Sequence, residues 1–198
     1  MSEGELWARW WAMAWKQAHP DWYDAELEAL PIEQARTLTR SQHARTGRAF
    51  AITPCLPVEP DRALLHFILA PATHQAFVLT LVDCICRPQL PNSLCTTQQL
   101  WCQRLSKVLR PTDWLATSDD TLQLLRAWVT PAVWQRLRLS FARSRVSALE
   151  LITPHAIAAL KLQSLWQAVL WKSIKFNEAA ATSLLDEQEL EDVVTTQD

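Results

Sequence analysis

Two glycines in 198 residues, Gly4 and Gly47, constrain this chain more than any other feature. Many-stranded hairpin proteins need residues with positive φ, and glycine supplies most of them. A chain this poor in glycine points away from sandwiches and barrels and toward helices. The same scarcity excludes glycine-rich phosphate loops of both the Walker and the dinucleotide type. Punctuation falls instead to eleven prolines, and hydrophobic residues at 49% are enough to bury a sizeable core. The expected fold is mainly α: a compact single domain of roughly seven to nine helices with little or no β-structure.

Leu6, Trp7, Trp10, Trp11, Ala14, Trp15 and Ala18 recur at helical spacing, which predicts a helix over Glu5–Ala18 ended by Pro20. A short helix within Asp21–Leu30 and a longer one within Ile32–Arg45 follow, with Gly47 as the end signal of the second. Ala51–Pro60 holds three prolines and reads as a loop. Asp61–Ala70 and Ala72–Arg87 read as two buried helices, although Phe77–Val82 also suits a buried strand. Thr96-x-x-Gln99 has the form of a capping box for a helix to Leu109, with Leu100, Trp101, Leu105, Val108 and Leu109 as its apolar stripe. Ser118 is a cap for Asp119–Val129. Thr130-Pro131 and Thr153-Pro154 are two copies of one start signal, for helices over Ala132–Ala142 and His155–Phe176. The last of these is apolar enough to be central to the core. A further acidic helix fits Ser183–Val194. Three parts result: a Trp-rich helical unit over 1–50, a main helical body over 51–176 and an acidic tail over 177–198, all within one compact domain.

The net charge is −2, so the whole molecule has no strong pull toward nucleic acid, and no such partner is expected. Its distribution is uneven. Arg136, Arg138, Arg143 and Arg145 come with no acid between them, while Glu178–Asp198 carries seven acids and no base. Such runs are commonly solvated surface; the sharper reading is a basic docking face and an acidic tail. Trp7, Trp10, Trp11 and Trp15 crowd one short helix and spread over more arc than one buried stripe. They are candidates for partner-facing anchors, since tryptophan is enriched at interface hot spots. Trp101, Trp114, Trp128 and Trp134 read mostly as core.

Motifs for chemistry are lacking. Five cysteines without a secretory signal argue for reduced thiols in the cytosol. Cys84 and Cys86 are two apart within an apolar run, which does not suit a zinc pair completed by Cys95 and Cys102. The five histidines (19, 43, 66, 74 and 155) pair with no acid at a recognised catalytic spacing. No catalytic residue, metal ligand or cofactor is assigned. A triad built from distant residues is a third hypothesis, and it predicts a concave pocket holding a titratable group with a perturbed pKa. Ala63–Cys86, the most apolar stretch, includes His66, Pro71, His74, Gln75 and Asp83 and does not read as a membrane span.

Between Leu100 and Val146 a longer pattern emerges. Leu100-Trp101-Cys102-Gln103-Arg104-Leu105 precedes Leu109-Arg110-Pro111-Thr112-Asp113-Trp114-Leu115. Leu124-Leu125-Arg126-Ala127-Trp128-Val129 and Trp134-Gln135-Arg136-Leu137-Arg138-Leu139-Ser140-Phe141 follow. This stretch resembles the SctK (YscK-like) family, accessory proteins of bacterial type III secretion systems. His19-Pro20-Asp21-Trp22 is similar to a segment of some members. The resemblance covers about a quarter of the chain and implies a non-enzymatic adaptor at the cytosolic face of the inner membrane. It would link an SctD-like inner-membrane ring protein to an SctQ-like pod protein, reaching the membrane only through protein contacts. It supplies no site residues. The candidates for partner binding remain Trp7, Trp10, Trp11, Trp15, Arg136, Arg138, Arg143 and Arg145. The alternative is a secretion chaperone or regulator that binds a single client.

Overall fold

The computed structural model describes residues 2–23, 47–59, 61–111, 113–153 and 156–195, with side chains as far as Glu178. Among them are helices and no strand, as the glycine count leads one to expect. The α-helices are α1 (Glu3–Met13), α2 (Arg62–Leu69), α3 (Ala72–Cys86), α4 (Thr96–Leu109), α5 (Leu122–Trp128), α6 (Pro131–Leu137), α7 (Arg143–Glu150) and α8 (Ala159–Thr195). Residues 47–49 are also helical, and Ala14–Gln17, Pro20–Trp22 and Arg138–Ser140 form 3-10 turns. The helix within Ile32–Arg45 and most of that within Asp21–Leu30 lie outside the described residues.

Several boundaries differ from expectation for local reasons. α1 starts two residues early because Ser2 and Glu5 form a reciprocal capping box, with Ser2 N–H donating to Glu5 Oε2 at 2.8 Å. α3 is helical throughout, and its Phe77–Val82 run is not a strand. α4 is capped one residue earlier than the Thr96 box suggests: Cys95 N–H donates to Gln98 Oε1 at 3.0 Å, while Gln99 turns back to the Leu94 carbonyl at 2.7 Å. α5 starts at Leu122 rather than Asp119, because Asp120 Oδ1 accepts the Leu122 N–H at 2.8 Å and Asp119 Oδ2 accepts that of Ala116 at 2.7 Å. Those bonds hold the two acids in a turn. Thr130 does cap α6, accepting from Val133 N–H at 3.4 Å. α7 had no clear signal in the sequence. Residues 156–158 are not helical, and α8 continues unbroken past Asn177, through the expected boundary with the tail.

Neither glycine takes positive φ. The left-handed positions among the described residues are Ala51 (φ 51°) and Arg110 (φ 50°). Gly47 lies within the helical residues, so the end signal expected there falls to Ala51.

One hydrophobic cluster runs from Trp7 to Leu170. The first half of α8 lies against α2, α3 and α5 and buries Leu162, Leu165, Trp166, Val169 and Leu170. Trp166 stacks on Trp128 at 5.4 Å between ring centroids and donates its Nε1–H to the Leu124 carbonyl at 3.3 Å. Leu160 and Trp171 are exposed, although the sequence predicts this helix as a whole to be central to the core. They lie on the opposite face of a helix that is apolar on two sides.

Candidate functional site

The tryptophans of the N-terminal helix turn inward, not outward as anchors for a partner would. Trp7, Trp10, Trp11 and Trp15 are all buried, and the first three pack on one another. Trp7 Nε1–H donates to the Val58 carbonyl at 2.8 Å and Trp11 Nε1–H to that of Cys55 at 3.1 Å. A proline-rich loop has few partners for its carbonyls, and the indoles supply them. The wide arc of tryptophan is therefore absorbed by two neighbours, the core and the loop.

The arginine run is divided, with Arg136 and Arg138 turned inward and Arg143 and Arg145 exposed. Arg136 is only 4% exposed. Its Nε–H donates to the Trp11 carbonyl at 3.0 Å, its Nη1–H to Ala132 at 2.9 Å, and its guanidinium lies 4.0 Å from the Trp11 ring centroid. Burial pushes the Arg136 pKa down, and the neighbouring Cys55 thiol partly offsets this. Arg138 grips Glu150 through both carboxylate oxygens, at 2.9 and 3.0 Å, and reaches the Phe50 carbonyl at 3.1 Å. Arg145 grips Asp120 at 2.6 and 2.8 Å. Burial opposes the charge on Asp120, but Arg145, the Leu122 N–H and Arg87 together hold its carboxyl below the usual range. Arg143 is exposed, with its guanidinium 5.8 Å from the Trp22 ring centroid. Bidentate forks are the geometry expected of a docking face; here Arg145 spends its fork on Asp120, Arg138 is taken up by Glu150 and the Phe50 carbonyl, and Arg136 by the Trp11 and Ala132 carbonyls.

Two other surfaces are available. The first is a groove of about 970 Å³ between α2, the start of α3 and α8. Phe67 and Leu170 lie in its floor, Arg62, His66 and Lys175 contribute charge or polarity, and Trp171 and Ile174 form an apolar lip. Trp171 is 62% exposed. His74 bridges helices at one end, with Nε2 3.2 Å from Ser173 Oγ and Nδ1 against the Asn177 amide. Burial pushes the His74 pKa down. The groove thus has the concavity and the perturbed imidazole that an enzyme reading asks for. Ser173 Oγ donates to the Leu170 carbonyl at 2.9 Å and lies 3.2 Å from His74 Nε2, a contact whose donor and acceptor depend on the imidazole tautomer. Ser173 is also 0% exposed, out of reach of a substrate.

The second surface is the outer face of α4, within the stretch that carries the family resemblance. Leu100, Arg104 and Val108, four residues apart, are exposed together with Gln103 and Lys107. Val108 is 76% exposed. The apolar stripe expected on α4 is therefore split. Trp101, Cys102, Leu105 and Leu109 pack inward, while Leu100 and Val108 face out. A projection around the helix axis separates the two faces of α8 from sequence alone, but on α4 it places exposed Val108 beside inward-facing Trp101. A tally of apolar residues separates the faces of neither helix.

Cys84, Cys86 and Cys102 are buried, and Cys55 and Cys95 are exposed. Burial pushes the Cys86 thiol up to about 12 and raises Cys102 further. Among the described residues no three His, Cys, Asp or Glu side chains converge as metal ligands, and no helix is long and apolar enough to cross a membrane. The chain matches no protein-family model, no curated protein and no solved structure.

Proposed function

We propose that this chain is a non-enzymatic docking adaptor of a bacterial type III secretion sorting platform, at the cytosolic face of the inner membrane. The observation that carries the reading is the α4 face. Exposed Leu100 and Val108 flank exposed Arg104 and Lys107 on one rigid helix, inside the stretch that resembles the SctK family. An apolar pair ringed by cations suits a partner with an apolar patch and acidic rim. On this reading α4 meets one of two partners, an SctD-like ring protein or an SctQ-like pod protein. Arg136, Trp7 and Trp11 tie α1 to α6 and to the loop over 51–59.

The test is affinity purification from secretion-competent cells. Wild-type protein should recover both the ring and the pod protein. A Leu100→Asp, Val108→Asp double variant should lose one of them and keep the other, with its far-UV circular dichroism unchanged. Recovery of one client protein alone would instead establish the chaperone reading. Equal recovery by wild type and variant would remove α4 as a docking face.

A further inference from the structure

α8 is a single 37-residue helix, about 55 Å long at 1.5 Å per residue. Its charge is sharply divided. Residues 159–177 include Lys161, Lys172 and Lys175 and no acid; residues 178–195 include Glu178, Asp186, Glu187, Glu189, Glu191 and Asp192 and no base. That order is the reverse of what the helix dipole favours. Asp186 and Glu189, Glu187 and Glu191, and Glu189 and Asp192 fall at spacings of three or four residues, where like charges repel. No base within residues 178–195 offsets that repulsion, so relief for a helical acidic half must come from elsewhere.

The first half of α8 has the complementary surface. Leu160, Ser164, Gln167, Trp171 and Ile174 are all exposed. They alternate at spacings of four and three, the 3.5-residue period of a helix-pairing seam. In sequence the same spacing continues through Glu178, Ala181 and Leu185. Trp171 and Ile174 form the lip of the groove between α2, α3 and α8, and Lys175 lines it. The cations there are lightly committed. Lys175 pairs with Glu178 at 2.8 Å and Arg62 with Glu3 at 3.1 Å, both in exposed ion pairs of the kind easily exchanged.

We propose that α8 is a self-association helix, and that the acidic half of one copy docks antiparallel along the Trp171 groove of a second copy. Parallel pairing would set six acids against six. Antiparallel pairing sets each acidic half beside the lysine-bearing half of the other helix. One two-fold axis near residue 178 then satisfies both grooves at once, because the contact is isologous. The indole at position 171 supplies the buried anchor of each groove. This goes beyond the adaptor reading and does not depend on it.

Sedimentation equilibrium of the full chain tests the proposal. A concentration-dependent monomer–dimer equilibrium is expected, weakened by added salt. A Trp171→Glu, Ile174→Glu variant should associate at least about tenfold more weakly with its helicity retained. Lys172→Glu with Lys175→Glu should also weaken the dimer, and adding Asp186→Lys with Glu189→Lys should restore it, a rescue that misfolding cannot mimic. A nitroxide at Leu160→Cys, with Cys55→Ser and Cys95→Ser, should report about 50 Å between labels across the dimer axis. A monomer at all concentrations, a dimer indifferent to the Trp171 variant, or a distance of about 10 Å as in a parallel pair would each overturn the proposal.

Discussion

Replacing Arg136 by methionine separates an internal brace from a docking residue. Methionine keeps the apolar stem and removes the charge and every donor. Two hydrogen bonds disappear, at 3.0 Å to Trp11 and 2.9 Å to Ala132, together with the stacking at 4.0 Å on the Trp11 ring. Charged-donor bonds contribute about 1.5–3 kcal/mol each, and a desolvated cation–π contact about 2 kcal/mol. Removal also returns the several kcal/mol that burying a guanidinium costs. Two terms survive the cancellation. The Trp11 carbonyl loses its Arg136 donor, and the link between α1 and α6 is cut. The expected loss is about 2–4 kcal/mol, a large share of the 5–15 kcal/mol that holds a domain of this size together. Urea denaturation followed by circular dichroism reads it directly. Arg143→Met, at an exposed position, should stay within about 0.5 kcal/mol of wild type. An Arg136→Met variant as stable as wild type would refute the brace. So would one that is fully stable but no longer binds a partner.

Gln123 is 3% exposed, and among the described residues neither polar atom of its amide has a hydrogen-bond partner; Gln123→Leu should raise stability by about 1–2 kcal/mol, and a lower urea midpoint would show that the amide is satisfied in solution. Ala51 takes φ 51°. Ala51→Gly relieves a left-handed penalty of about 1–2 kcal/mol against a smaller entropic loss, so the midpoint should rise by about 0.5–1 kcal/mol; a fall would contradict the strained geometry. Burial lowers the His74 pKa from 6.5, so the unfolded chain binds more protons on the acid side of that value. The stability held in its neutral imidazole is complete above about pH 6.5 and is lost as pH falls toward the folded pKa, so His74→Gln should flatten the decline in urea midpoint. Identical declines in the two proteins would clear His74. In a thiol titration Cys55 and Cys95 should react at once, and Cys84, Cys86 and Cys102 only after unfolding; five equally fast thiols would place the α3–α4 packing in doubt.

The helical class was legible because glycine scarcity and proline spacing act locally, at the turns themselves. Caps were legible where one side chain decides, as at Thr130. They shifted by a residue where two neighbours compete, as at Thr96 with Gln99 and Cys95 with Gln98. The surfaces were harder to read. An arginine run looks the same in sequence whether its forks meet a partner or the chain's own Glu150 and Asp120, because those acids lie 12 and 25 residues away. Four crowded indoles look like an interface until the core buries them and the loop over 51–59 takes the N–H groups of Trp7 and Trp11. Trp171 is the reverse case, a large apolar side chain of a core helix left exposed. α8 is apolar on two faces, and only the packing of α2, α3 and α5 on one of them shows which face stays open.

The adaptor claim stands or falls on bridging. Purified cytosolic domain of the ring protein and purified pod protein should pass separately through a size-exclusion column when mixed alone, and co-elute once this chain is added. Leu100→Asp with Val108→Asp should abolish the co-elution while leaving one binary complex intact. Ring and pod proteins that remain separate in the presence of wild-type chain, or that co-elute equally well without it, would contradict the account.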